Sequence, residues 1–160
     1  MAFKLNRASY SVILEKEFLL DNSQTFRVGQ LVVPSAGGVV TPAPAAATNL
    51  LGVIVAFTGK DGSVLTDVGD TVNTPPDNTT TQKYWAKVAL LSPEHTFLAD
   101  FSASIATHNV FDTYSVSADG LTVDASSRVA PGDVGYPREV VLLEKVSDTV
   151  GLVKIRSRLV

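Results

Sequence analysis

The run Tyr114-Ser115-Val116-Ser117-Ala118-Asp119-Gly120-Leu121-Thr122-Val123-Asp124 alternates apolar and polar residues, turns at Asp119-Gly120, and alternates back. A period of two is the strand signature, because successive side chains point to opposite faces of a sheet. Asp-Gly closes a tight turn because glycine accepts the positive φ that the turn needs. The run predicts a β-hairpin.

The same grammar recurs outward from this hairpin. Residues 140–146 and 152–159 read as a second hairpin through Ser147-Asp148. Residues 84–91 place Tyr84, Ala86, Val88 and Leu90 on one face of a strand. Residues 50–57 form a short apolar run suited to a strand buried on both faces, followed by an Asp61-Gly62 turn and a return strand over 63–68. Residues 26–33 read as a strand with a bulge at Gly29, and residues 10–20 as a strand with Tyr10, Val12, Leu14, Phe18 and Leu20 in one parity. Three stretches read as loops: the Pro/Ala/Gly-rich 34–49, the Thr/Pro-rich 70–82, and the polar 126–137. About eight strands result, at the spacing of a sandwich or barrel.

Composition agrees. The chain of 160 residues has 23 Val and 15 Thr against 5 Glu and 7 Lys. β-branched residues lose rotamer freedom in a helix and pack well on a pleated surface. A chain of this length buries roughly 70% of its unfolded surface, enough for one core without staples. The expected fold is all-β: a single β-barrel or β-sandwich domain over 10–160, with an N-terminal arm over 1–9 and long loops.

Function classes narrow next. There is no Cys, which removes thiolate catalysis and Cys-based metal sites. Gly52 to Lys60 lacks the spacing of a phosphate loop, and Asp61 stands where Ser or Thr is needed. No Gly-x-Ser-x-Gly elbow accompanies the two histidines, His95 and His108, which sit beside turn residues and read as surface groups. The carboxylates near Asp61–Asp77 and Asp119–Asp124 lack calcium-loop spacing. The apolar start of the chain is broken by Glu15-Lys16-Glu17, so no signal peptide is expected, and no run approaches a membrane span. The single Trp, Trp85, lies in a strand pattern and reads as core. The expectation is a structural or binding protein without catalytic residues, cofactor or metal.

Charge is distributed unevenly. Residues 1–60 carry 5 basic and 3 acidic groups (+2), residues 61–133 carry 3 and 10 (−7), and residues 134–160 carry 5 and 3 (+2). The net of −3 speaks against general nucleic-acid binding. The arm offers Phe3 and Leu5 as apolar anchors beside Lys4 and Arg7. Lys154, Arg156 and Arg158 share one face of the last strand. These seven are the candidate partner-contacting residues, read as contacts to an acidic partner or between copies. A mean hydropathy of +0.20 points to an oligomer that buries further surface.

Several stretches together resemble one family. Phe26-Arg27-Val28-Gly29-Gln30-Leu31-Val32-Val33, a small-residue loop, and Leu51-Gly52-Val53-Ile54 look like the opening of tailed-bacteriophage head decoration (capsid cement) proteins. Phe111-Asp112-Thr113-Tyr114-Ser115-Val116, the run from Asp119 to Ser126, and Gly151-Leu152-Val153-Lys154-Ile155-Arg156 resemble the downstream half. The resemblance covers about half the chain. It implies a β-rich virion protein made in the host cytoplasm and placed on the capsid exterior, bound to the major capsid protein, as a homotrimer. It offers no catalytic residue to carry over, while the charge speaks against a nucleic-acid partner and the lack of a long apolar run against a membrane partner. The other class consistent with the residues is a ligand-binding β module, such as a carbohydrate-binding or adhesin domain.

Overall fold

The computed structural model describes residues 3–5, 14–65 and 68–159. It is all-β, as composition and alternation require. Among the described residues, twelve short strands replace the expected eight or so, because several runs read as single strands or loops are divided by tight corners.

Five strands close a barrel: β2 (Glu15–Leu20), β4 (Leu31–Ser35), β5 (Val39–Pro42), β6 (Gly52–Thr58) and β8 (Trp85–Leu90), in the order β2-β5-β4-β6-β8. All pairs are antiparallel except β2–β5. A two-stranded ribbon of β3 (Thr25–Arg27) and β7 (Thr71–Asn73) contributes Phe26 and Val72 to the barrel core. A second sheet has the order β1-β9-β12-β11-β10, from β1 (Phe3–Leu5), β9 (Phe97–Asp100), β12 (Val150–Ile155), β11 (Val140–Lys145) and β10 (Thr113–Tyr114).

Two cores follow from strand alternation. Val32, Ile54, Ala86 and Val88 fill the barrel interior with Leu20, Val40, Phe26 and Phe57. Their neighbours Leu31, Val33 and Val53 point outward and pack with Phe97, Tyr114, Leu142 and Val153 from the second sheet. β4 and β6 are thus buried on both faces, as the unbroken apolar run 50–57 requires. Each fully buried Leu, Ile, Val or Phe contributes about 1.5–3 kcal/mol, so the shared strands weld the two lobes together. At Gly52 the barrel strands β6 and β8 come very close: a Cβ there would sit 2.2 Å from the Ala89 carbonyl oxygen.

The structure corrects several expectations. Residues 26–33 are two strands around a corner at Gly29, whose φ is 85°. The stretch 34–49 is not all loop: Gly37 and Gly38, both at positive φ, turn β4 back into β5. The stretch 70–82 holds β7 and a one-turn helix α1 (Asn78–Thr81). Asn78 is fully buried and orders this segment: its side chain donates to the Leu20 and Tyr84 carbonyls and accepts from the Tyr84 N–H. The expected return strand over 63–68 is reduced, among the described residues, to one bridge between Thr58 and Val64. The hairpin at Asp119-Gly120 keeps its turn but pairs through a single Val116–Val123 bridge. Its tip is spent on the barrel instead, where the Gly120 carbonyl accepts the Leu31 N–H. The last strand ends at Ile155, not Leu159. The 140–146/152–159 hairpin is otherwise found as β11–β12.

The arm is also corrected. Phe3, read as an anchor without a strand partner, pairs with Ala99 in β9, is 3% exposed and joins the inter-lobe core. Non-local pairing of this kind leaves no local pattern in three residues. Tyr10 and Val12 lie outside the described residues.

Candidate functional site

Of the seven candidate partner-contacting residues, Lys4 and Lys154 fall on one face of the second sheet. Lys4 stands opposite Leu98, and Leu98 opposite Leu152, so the three form a row across β1, β9 and β12. Directly opposed residues share a face. Lys154, two residues on from Leu152 and opposite Val141, shares it too. Lys4 is exposed, while Leu98, Leu152, Val141 and Lys154 are half-buried. The outward face therefore carries Leu98 and Leu152 between two ammonium groups, with Val141 beyond the second.

Arg156 and Arg158 follow past the strand end. The Arg156 N–H donates to the Glu139 carbonyl at 2.7 Å, and the Arg158 N–H to the Thr48 carbonyl at 2.9 Å. Ser157 donates from Oγ to the Leu50 carbonyl. The tail is thereby tied to both lobes. It lines two adjoining hollows: about 410 Å³ against Leu91, Pro93 and Ile155, and about 250 Å³ against Pro137, Arg138 and Glu139. Both are bordered by Arg156, so the groove has an apolar floor and a cationic rim.

The structure thus brings Lys4 and Lys154 to one face, with Arg156 bordering it and Arg158 further along the tail. Phe3 is removed from the contact set because its ring is in the core. Leu5 lies in β1. Arg7 lies outside the described residues.

Reasoning from sequence missed a buried polar cluster behind β10. Asp112 is buried and its Oδ2 accepts from Arg128 Nε and from the Asn109 N–H. Arg138 donates from Nη1 to Ser115 Oγ and from its backbone N–H to Thr113 Oγ1. His108 Nδ1 lies 2.9 Å from the Tyr114 hydroxyl, the rings stacked at 5.7 Å. Burial, then the Asp112 charge, pushes the Tyr114 hydroxyl up to about 12. Burial, then the Arg128 charge, holds the His108 imidazole below its ordinary value. A protonated Tyr and a neutral His form a hydrogen-bonded, stacked pair. Ser115 Oγ is engaged by a guanidinium rather than by a general base, so the arrangement braces the loop.

Both histidines depart from the surface reading. His95 is 1% exposed, turned inward by a turn in which its N–H donates to the Ser92 carbonyl. His108 is partly buried against Tyr114. Trp85 departs the other way. It is opposite Leu19 and Thr58 on the exterior of the barrel, half-buried, with its indole N–H on the Gln82 carbonyl at 2.9 Å. Alternation put it there: Ala86 and Val88 point inward, so Trp85 and Lys87 point out.

Among the described residues, no three His, Asp or Glu side chains gather as metal ligands, and no helix is long and apolar enough to cross a membrane. A scan against protein-family models finds no match, and a search of curated proteins finds none.

Proposed function

We propose that the protein is a structural component of a virion, decorating and stabilising the outer surface of a tailed-phage capsid by binding the major capsid protein as a homotrimer. The observation that carries this reading is the outward face of the second sheet, where Leu98 and Leu152 lie between Lys4 and Lys154, Val141 flanks Lys154 on the far side, and Arg156 stands at the margin. An apolar strip rimmed by cations suits an acidic protein surface: the strip supplies area, and the charges supply orientation and on-rate. Each exposed charge contributes only about 0–1 kcal/mol. Repetition over the subunits of an oligomer, on a repeating lattice, converts such weak contacts into firm attachment. The welded lobes favour this role, because a body without a hinge transmits load between its contacts. The family resemblance supports it further.

The test is co-sedimentation with undecorated heads. Wild type binds, the Lys4→Glu/Lys154→Glu variant binds weakly, and added salt weakens the wild type. Binding by the double variant equal to that of wild type, at every salt concentration, overturns the assigned face. Light scattering at the monomer mass, up to the highest soluble concentration, overturns the trimer.

A further inference from the structure

We infer that the barrel carries a saccharide-binding site at Trp85, on a face separate from the cationic sheet. A cavity of about 390 Å³ is lined there by Glu17, Lys60, Gly62, Gln82 and Trp85. That volume falls in the range of about 300–1,000 Å³ typical of small-ligand sites.

The lining has the chemistry a sugar ring requires. An indole offers a flat apolar surface for the C–H face of a pyranose, and its N–H is already engaged, so the ring stays in place. A carboxylate, an ammonium and an amide surround it, giving acceptors and donors for vicinal hydroxyls. Glu17 and Lys60 offset one another, which suits a neutral polyhydroxy ligand over an anion or a cation. No large aliphatic side chain lines the cavity, which disfavours an apolar peptide anchor.

The site is also pre-formed. Gln82 holds φ 54°, a left-handed conformation uncommon outside glycine. The strain persists because the surroundings fix it. The Gln82 N–H donates to the Asn78 carbonyl, and Asn78 is itself clamped to Leu20 and Tyr84. The same clamp delivers the Gln82 carbonyl to the indole. On the other wall, Glu17 Oε1 comes near the position a Cβ on Gly62 would occupy, at 3.5 Å. A loop read as plain solvent-facing chain thus sets an aromatic wall and its polar partners before any ligand arrives, which reduces the ordering cost of binding.

Trp85 is the only Trp, so tryptophan emission, excited at the long-wavelength edge where the four Tyr absorb little, reports on this site. The experiment titrates the full chain with glucose, galactose, mannose, N-acetylglucosamine and short oligomers of each, following emission and, in parallel, heat. A shallow site predicts a saturable emission change with a Kd on the order of 1 mM for at least one sugar. Glu17→Gln and Gln82→Gly retain the fold by circular dichroism and weaken that sugar about tenfold; Trp85→Ala abolishes its heat. The inference is overturned if no sugar changes emission or heat. It is equally overturned if a sugar binds with unchanged affinity in all three variants, since the site then lies elsewhere. Head binding is measured separately and bears on neither outcome.

Discussion

Arg128 donates from Nε to Asp112 Oδ2 at 2.5 Å, joining a guanidinium that is one-third exposed to a carboxylate that is 1% exposed. The same carboxylate oxygen accepts the Asn109 N–H, and the Asp112 N–H returns to the Asn109 carbonyl. One buried charge therefore clamps the turn that presents Val110 and Phe111, both exposed, with Phe111 at φ 74°. Its second oxygen, Oδ1, has no partner among the described residues. All of its compensation comes through Oδ2.

Removing Arg128 should therefore cost more than a surface ion pair would. Arg128→Met strands a buried carboxylate, and we expect a loss of roughly 2–4 kcal/mol, below the usual range for a fully buried pair because the guanidinium is partly solvated. Urea denaturation measures it. Adding Asp112→Asn should restore much of the loss, because the amide keeps an acceptor for Asn109 without a charge. An Arg128→Met midpoint equal to wild type would show that the ion pair does not clamp this turn.

His108 predicts a pH dependence whose sign follows from its environment. Its folded pKa lies below the ordinary 6.5, through burial first and the Arg128 charge next. The unfolded chain then binds a proton more readily than the folded one does. The stability linked to neutral His108 is fully present above about pH 6.5 and is lost as pH falls through the lower folded value. The imidazole is only partly buried, so the slope should be shallow. Thermal melts of wild type and His108→Gln at pH 8 and pH 5 test it. Wild type should lose more than the variant on acidification, and equal losses would count against the stacked pair as a pH-sensitive element.

What the sequence made legible is what one strand determines for itself. Alternation from Tyr84 to Leu90 gave the inward face of β8, and the unbroken run at 50–57 announced a strand covered on both sides. What it concealed depends on distant partners. Asn78 orders the 70–82 stretch by bonding Leu20, 58 positions away, and no local pattern marks an Asn that will do so. β5 was hidden because Pro34 and small residues flank it, although Gly37-Gly38 is itself a turn signal. Lys4 and Lys154 could be proposed as contacts from their charge. Their common face required β9 to stand between β1 and β12. Trp85 was readable as outward-facing from the parity of Ala86 and Val88, and its size argued wrongly for the core.

Gly52 and Gly37 should respond differently to the same substitution. A Cβ at Gly52 would meet the Ala89 carbonyl oxygen at 2.2 Å and Val88 Cγ1 at 2.6 Å, so β6 must separate from β8. At Gly37 a Cβ meets nothing within 4 Å, and only its φ of 83° resists. Gly37→Ala should cost about 1 kcal/mol, from backbone strain alone. Gly52→Ala should cost about 3 kcal/mol by overpacking against backbone, or leave the protein insoluble. Equal melting temperatures for the two variants would contradict the close approach of these strands.

Phe3 and Lys4 are adjacent in sequence and should separate stability from attachment. Phe3 is in the inter-lobe core beside Phe97 and Ala99, while Lys4 faces solvent on the proposed contact face. Phe3→Ala leaves a cavity where a ring was and should cost about 3 kcal/mol. Lys4→Ala should leave the urea midpoint within about 0.5 kcal/mol of wild type, as surface changes do. Head binding should show the reverse ranking when measured well below the melting temperature of the weaker variant. Phe3→Ala should bind as wild type does while folded, whereas Lys4→Ala should bind less tightly and with a shallower dependence on salt. Deleting residues 1–9 removes both groups and also uncovers the edge of β9, so it should lower stability and attachment together. The deletion alone thus leaves the two roles entangled, and the point substitutions separate them. Loss of binding in Phe3→Ala under folded conditions, with Lys4→Ala unaffected, would return the contact to the apolar part of the arm and remove the cationic face.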